Sequence, residues 1–286
     1  MQNIVGIDIG GSHITLAQVD PEKHEIITST YVRERVDSFA DPESIFQAWI
    51  SGIEKAIGDL RKEELLIGIA MPGPFDYENG ISLMLQGKFR SIYEVNIKEE
   101  LARRLEINKN QIHFINDAAA FLEGEVFGGC VQGHGRIFGV TLGTGLGTTF
   151  YNGTVATDED LWNSPFHESI CEDYLATRWF VNRYAELTGE TITGAKDLLD
   201  KPEELRNKMF DEYADSFAEF ILKYVKYYDP EVLVIGGNIS KAYPYFSERL
   251  NHILEDNHIE LKIEISEIFE DAAILGAASY ALKMKN

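Results

Sequence analysis

Two stretches of this chain carry the same local message, and a fold must build a strand–turn–strand unit at each of them. The first is Gly6-Ile7-Asp8-Ile9-Gly10-Gly11-Ser12-His13-Ile14-Thr15; the second is Gly139-Val140-Thr141-Leu142-Gly143-Thr144-Gly145-Leu146-Gly147-Thr148-Thr149. Apolar Ile4, Val5 and Ile7 read as a buried strand that delivers one carboxylate, Asp8, to a turn of adjacent glycines. Glycines let the backbone take positive φ and bring N–H groups close to an anion. An acid beside such a turn makes sense where a metal ion sits between them, as under a nucleoside triphosphate. A plain hairpin with a capping Asp is the alternative for the first stretch alone. Laid over one another, Gly6 meets Gly139, Ile9 meets Leu142, Gly10 meets Gly143 and Thr15 meets Thr148. Two such loops facing each other would grip one polyphosphate, with Asp8 against Thr141 leaving the metal-binding acid to the first copy.

The 286 residues suggest two domains, or one large one. No run approaches the roughly 18–20 apolar residues of a membrane span. The N-terminus opens directly into a strand, which predicts no signal peptide and a cytoplasmic protein. The net charge of −21 argues against a nucleic-acid partner. A nucleotide would then be held by local backbone dipoles, a metal ion and a few cations. Cys130 and Cys171 are too few for a disulfide framework or a four-cysteine zinc site, and read as buried inert thiols.

Along the chain, Thr15 to Val19 reads as the returning strand and Glu25 to Arg33 as a third. Asp41-Pro42-Glu43 opens a helix to Gly58. Leu65 to Ala70 is a buried strand ending in Met71-Pro72-Gly73-Pro74, a turn at the strand end where α/β sheets usually bind ligands. In the segment Tyr77 to Asn96, Gln86, Lys88, Arg90 and Tyr93 suit a lid or substrate loop and equally an ordinary surface. The strand Gln111 to Ile115 ends in Asn116-Asp117, ahead of the small residues Ala118 to Ala120. From this junction alone, Asp117 capping a helix is the simpler reading, and Asp117 as a general base the functional one. The segment Asp158 to Glu168, with Asp160 and Asn163, is rich in acids and amides and suits a ligand with many hydroxyls, or an acidic surface. Glu172-Asp173-Tyr174 begins a long helix. Pro202-Glu203-Glu204 begins the longest, whose aromatic stripe to Tyr228 reads as core. Glu231 to Ile235 runs into a third glycine turn, Gly236-Gly237-Asn238; a helix follows from Ser240, then a strand Lys262 to Ser266. The small-residue face of the last helix, Ala272 to Ala278, points to tight packing, with the domain junction as one place for it.

Taken together, these segments resemble the ROK family of bacterial sugar kinases and repressors, within the actin-like ATPase superfamily, almost end to end. Asp8-Ile9-Gly10-Gly11-Ser12-His13 is similar to the first phosphate loop, where the family usually has Thr then Lys or Asn. Met71-Pro72-Gly73-Pro74 matches the Pro-Gly-Pro turn, and Asn116-Asp117-Ala118-Ala119-Ala120 resembles the Asn-Asp-Ala-Asn-Ala segment. Gly143-Thr144-Gly145-Leu146-Gly147 resembles the second phosphate loop, Gly236-Gly237-Asn238 the adenosine-side turn, and Leu275-Gly276-Ala277-Ala278 the closing helix. The resemblance implies two ribonuclease-H-like (actin-like ATPase) α/β domains with an interdomain active-site cleft, residues 1–116 plus 272–286 and residues 117–271. It implies transfer of the ATP γ-phosphate to a hexose hydroxyl, glucose first and an N-acetylhexosamine or fructose next, by a homodimer. Asp117 would be the general base, Asp8 would hold Mg²⁺ through water, and Gly73, Asn116, Asp160, Asn163 and Glu172 would bind sugar. Asp160 and Asn163 stand where the family's sugar-binding segment has Glu and His. The three-cysteine zinc segment is missing, so no structural zinc is expected. A silent sugar-sensing regulator, or a kinase of another small metabolite, stays open as the alternative.

Overall fold

The computed structural model describes residues 3–285. The chain divides into two units, Met1–Gln132 with Glu270–Asn286, and Gly133–Phe269.

In the first unit, strand Asn3–Ile9 pairs antiparallel with His13–Asp20 and parallel with Leu65–Met71, which pairs in turn with Ile112–Asn116. Glu25–Ile26 and Val32–Arg35 each pair with His13–Asp20 at the far edge. The single strand expected over Glu25 to Arg33 is broken by a 3-10 turn, Thr28–Thr30. Thr30 explains the break: its hydroxyl donates to the Ile27 carbonyl at 2.7 Å and accepts from the Gln18 N–H at 2.9 Å, in place of ladder bonds. Odd-numbered Val5, Ile7 and Ile9 face a core shared with Trp49 and Ile53 of helix Pro42–Ile57, which Asp41 caps by accepting from the Ser44 N–H.

The even-numbered face is covered differently. A Cβ placed on Gly6 would stand 2.1 Å from the Ile274 carbonyl oxygen, and one on Gly68 1.9 Å from that of Ala277. The backbone of helix Asp271–Lys285 therefore lies directly on the strands, a distance only glycine permits. The same helix meets helix Asp117–Phe127 equally closely: a Cβ on Gly124 would be 1.9 Å from the Ala272 oxygen, and one on Gly276 1.8 Å from the Ala120 oxygen. Buried Glu123 joins the two helices by accepting from Lys283 Nζ at 2.7 Å. The small-residue helix thus packs inside the first unit. This contact also moves the expected boundary. The division falls after Gln132, not after Asn116, because helix Asp117–Phe127 is locked to the C-terminal helix.

In the second unit, strand Ile137–Leu142 pairs antiparallel with Leu146–Tyr151 and parallel with Val232–Gly236; Ala156–Asp158 and Lys262–Ile265 take the edges. The order 156–158, 146–151, 137–142, 232–236, 262–265 repeats that of the first unit, where it reads 25–26, 13–20, 3–9, 65–71, 112–116. One detail of the overlay changes. Ile9 pairs with Ile14 across a four-residue turn, whereas Leu142 pairs with Leu146 across three. Thr148 lies opposite Val140 and so corresponds to Leu16, not Thr15.

The aromatic stripe of helix Glu203–Lys223 is core: Phe210, Tyr213, Phe217 and Phe220 are fully buried, with the Tyr213 hydroxyl donating to the Leu175 carbonyl at 2.9 Å. That helix stops at Lys223, and Tyr228 belongs to a following 3-10 turn, its hydroxyl on Glu159 at 2.8 Å. The long helix expected from Glu172 is two pieces, Cys171–Leu175 and Thr177–Thr188. At the break, the Thr177 N–H and hydroxyl both donate to the Gly143 carbonyl, at 2.8 and 2.7 Å. The helix expected from Ser240 is a 3-10 segment, Asn238–Tyr245, followed by helix Ser247–Asp256.

Candidate active site

The first unit gathers its polar groups at the C-terminal ends of its central strands. Asp8 lies opposite Thr15, and Thr15 opposite Arg33, so the three side chains share one sheet face. Arg33 pairs with Glu270 at 2.6 Å, just ahead of the C-terminal helix. Burial pushes the Asp8 carboxyl up to about 7, the negative charges of Asp117 and Glu270 add to it, and Arg33 opposes it. Among the described residues no group of three or more His, Cys, Asp or Glu side chains is placed to hold a metal ion, and Glu270 is already paired with Arg33. The single carboxylate of Asp8 fits only a cation that keeps most of its water, as Mg²⁺ does when it is held by one or two carboxylates and the phosphates of a substrate.

The turn after Asp8 is closed by the Gly10 N–H donating to the His13 carbonyl at 2.9 Å, and is tied to the next strand by the Val36 N–H on the Ser12 carbonyl at 2.9 Å. Ser12 Oγ and His13 Nδ1 are 3.0 Å apart. The N–H groups of Gly11 and Ser12 have no hydrogen-bond partner among the described residues, so two adjacent donors are open to an anion. Across Gly11 lies the side chain of Lys88, whose Cδ, Cε and Nζ stand 2.3, 2.5 and 2.8 Å from where a Gly11 Cβ would be.

Asn116 and Asp117 divide their work. Asn116 is the helix cap: its Oδ1 accepts from the N–H groups of Ala118 at 2.8 Å and Ala119 at 3.2 Å. Asp117 is therefore not needed as the cap, although one of its oxygens also accepts from Ala118 at 3.0 Å. Its side chain reaches solvent within dense surrounding protein; burial raises its carboxyl, against the Ala118 N–H and the Lys88 charge. Asn116 Nδ2 donates to the Tyr77 hydroxyl at 3.2 Å, which donates to the Met71 carbonyl at 3.0 Å. Tyr77 thus joins Asn116 to the turn holding Gly73, whose bond to Pro74 is cis.

The second unit assembles another constellation. The Gly143 N–H donates to the Gly145 carbonyl at 3.1 Å, and the N–H groups of Thr144 and Gly145 have no partner among the described residues. Glu172 sits against this turn, accepting from the Leu146 N–H at 3.1 Å, and Arg178 pairs with both Glu172 and Asp173. Gly237, at φ 81°, carries its turn onto the end of the central strand, where a Cβ would be 2.4 Å from the Leu142 oxygen. The Gly143–Gly145 and Gly236–Asn238 turns are therefore neighbours, while Gly147 lies within a strand, opposite Thr141. Asp160 precedes and Asn163 ends a 3-10 turn, Leu161–Asn163, anchored by the Leu161 N–H on Thr148 Oγ1 at 3.0 Å. No hydrogen bond joins them to Glu172 among the described residues.

Arg33, Glu270, Tyr77, Arg178 and Thr177 escaped the sequence reading. The acidic pair Glu270-Asp271 before a small-residue helix was the one usable signal. Nothing in the sequence separates Lys88 from Gln86, Arg90 and Tyr93 around it.

Two sheets of one strand order, each bearing a glycine turn at its central hairpin, define the two-domain actin-like ATPase fold. The same fold is seen in the ROK hexokinase from Thermus thermophilus, with a TM-score of 0.79 at 19% identity over 98% of both chains. The ROK family model matches residues 4–158 and 166–284, and the chain belongs to that family. Among curated relatives, it is 25% identical to a glucokinase of Thermotoga maritima, covering 96% of each chain. It is also 25% identical to an N-acetyl-D-glucosamine kinase of Photobacterium profundum, over 82% of this chain and 84% of the relative.

Proposed function

We propose that this protein is an ATP-dependent sugar kinase that transfers the γ-phosphoryl group to a hexose hydroxyl, glucose first and an N-acetylhexosamine second. The observation that carries the reading is Asp117: a carboxylate at the end of the strand Ile112–Asn116, with Asn116 as the main helix cap, its proton affinity raised by burial and its charge felt by Asp8. The named activities of the relatives support it.

In this reading Asp117 accepts the proton of the attacking hydroxyl as the new O–P bond forms and the bond to the β-phosphate oxygen breaks, releasing ADP. A base so placed contributes about 10²–10⁴-fold. In the first unit the Gly11 and Ser12 N–H groups hold phosphate oxygens, and Asp8 holds Mg²⁺ through water. Mg²⁺ held there would supply charge neutralisation for the transferred phosphoryl group. In the second unit the Thr144 and Gly145 N–H groups hold phosphate oxygens, and the Gly236-Gly237-Asn238 turn lies on the adenosine side. Sugar hydroxyls are taken by the remaining Asn116 N–H, by Asp117, by Glu172, and by Asp160 and Asn163.

The test is ADP release over a panel of hexoses, hexosamines and N-acetylhexosamines, with Asp117→Asn as control. At least one sugar should raise turnover well above the sugar-free rate, and Asp117→Asn should lower that by about 10² or more. Absence of stimulation by every sugar would make the protein a sensor. Near-full turnover in Asp117→Asn would remove the base from Asp117.

A further inference from the structure

We propose that Lys88 is a phosphate-binding residue, its ammonium contacting the transferred phosphoryl group beside the Gly11 turn. This deepens the kinase reading and rests on it.

The stem of Lys88 runs over Gly11, with Cδ through Nζ all within 2.8 Å of the missing Cβ. Any residue but glycine at position 11 would push this side chain away. The flanking N–H groups of Gly11 and Ser12 are the unpartnered donors of the turn, so the lysine and the two donors address the same small volume. The ammonium makes no hydrogen bond or ion pair among the described residues. The chain carries 47 acidic and 26 basic residues, and this lysine holds none of those acids. Its charge nevertheless bears on Asp117. A cation that touches the phosphate turn and is felt by the proposed base lies along the path from donor phosphate to acceptor hydroxyl.

The backbone under Lys88 is also built, not loose. Gly87 takes φ 71° and Phe89 takes φ 59°, a conformation that costs a non-glycine residue about 1–3 kcal/mol. Phe89 is nonetheless fully buried, packs on Trp49 with ring centroids 5.5 Å apart, and donates its N–H to the Ser38 carbonyl at 2.8 Å. The Ser91 hydroxyl ties the same segment to the Ala40 carbonyl at 2.7 Å. The core thus holds a strained residue beside an exposed lysine and fixes where that lysine reaches. A compact ammonium on a four-carbon stem binds phosphate as a point charge.

The experiment compares calorimetric binding of ADP and of AMPPNP, which carries a third phosphate, to the wild type, Lys88→Met and Lys88→Arg, all with Mg²⁺. Lys88→Met should weaken AMPPNP about 10-fold and leave ADP within 2-fold, and Lys88→Arg should restore most of the difference. With an active sugar, kcat of Lys88→Met should fall about 10²-fold, the scale of one lost charge-stabilising donor. Equal loss for both nucleotides, or no loss for either, would overturn the proposal. Because nucleotide discrimination is read without turnover, it judges Lys88 even if no sugar is phosphorylated, an outcome that would sink the kinase reading alone.

Discussion

Gly276 sits where two effects of opposite sign can be weighed. In a helix interior, alanine is favoured over glycine by about 1 kcal/mol, so Gly276→Ala taken as a local change should stabilise. The structure says otherwise. The new Cβ would lie 1.8 Å from the Ala120 oxygen and 2.7 Å from the Gly124 nitrogen, where real Cβ atoms keep at least 3.0 Å. The helices must part by more than 1 Å, and the obstructing atoms are backbone, with no rotamer to turn away. Overpacking of this kind costs about 1–3 kcal/mol, occasionally more, and backbone obstruction puts this site at the upper end. After the propensity gain, we expect a net loss of about 2 kcal/mol, or roughly 4–8 °C in the midpoint of thermal unfolding of a unit this size. Asp117 begins the displaced helix, and a shift near 1 Å is enough to cost about 10²-fold in rate. Circular dichroism melts and ADP release at saturating sugar measure the two effects. A melting midpoint equal to or above that of the wild type would refute the reasoning, because propensity would then have outweighed the helix contact.

Two further outcomes follow from the described chemistry. Asp8 titrates near 7 in the fold against 3.8 unperturbed, so its ionisation destabilises the metal-free protein as pH rises from about 4 through 7. The full difference corresponds to about 4 kcal/mol, which contact with water reduces to about 1–3 kcal/mol. In EDTA, Asp8→Asn should therefore melt higher than the wild type at pH 8 and equally at pH 4; a gap that does not close on acidification would refute this. Burial pushes the Cys171 thiol up to about 11, while Cys130 is partly exposed. A thiol reagent at pH 8 should label Cys130 in the native protein and Cys171 only in denaturant, read by mass spectrometry of peptides, and native labelling of Cys171 would contradict its packing.

The glycine turns were legible in the sequence because each is a local device: a buried run, an abrupt pair of glycines, and a returning strand. The overlay of Gly6 on Gly139 marks the central hairpin of each sheet but not the three strands that flank it. The overlay slipped at Thr15 and Thr148 because turn length is decided by hydrogen bonding between strands, and one residue moves the register. Asn116 and Asp117 could not be told apart as caps, since either side chain can accept the helix N–H groups; Tyr77, some forty positions away, holds Asn116 in that role. The Arg33–Glu270 pair spans most of the chain and leaves no local trace. Lys88 looked like any surface lysine because what distinguishes it is the side chain missing from Gly11.

The order of synthesis gives the C-terminal helix another meaning. The four main strands of the first unit have all been made once Asn116 is in place, yet the helix that covers Gly6 and Gly68 starts at Asp271. Between them the ribosome makes the whole second unit, 137 residues from Gly133 to Phe269. At about 5–20 residues per second this takes roughly 7–27 s. Through that interval one face of the nascent sheet lacks its cover, and at its glycines the exposed surface is bare backbone. The second unit, contiguous in the chain, can close first. The first closes last, when its final helix arrives and brings Gly276 against the helix that carries Asp117.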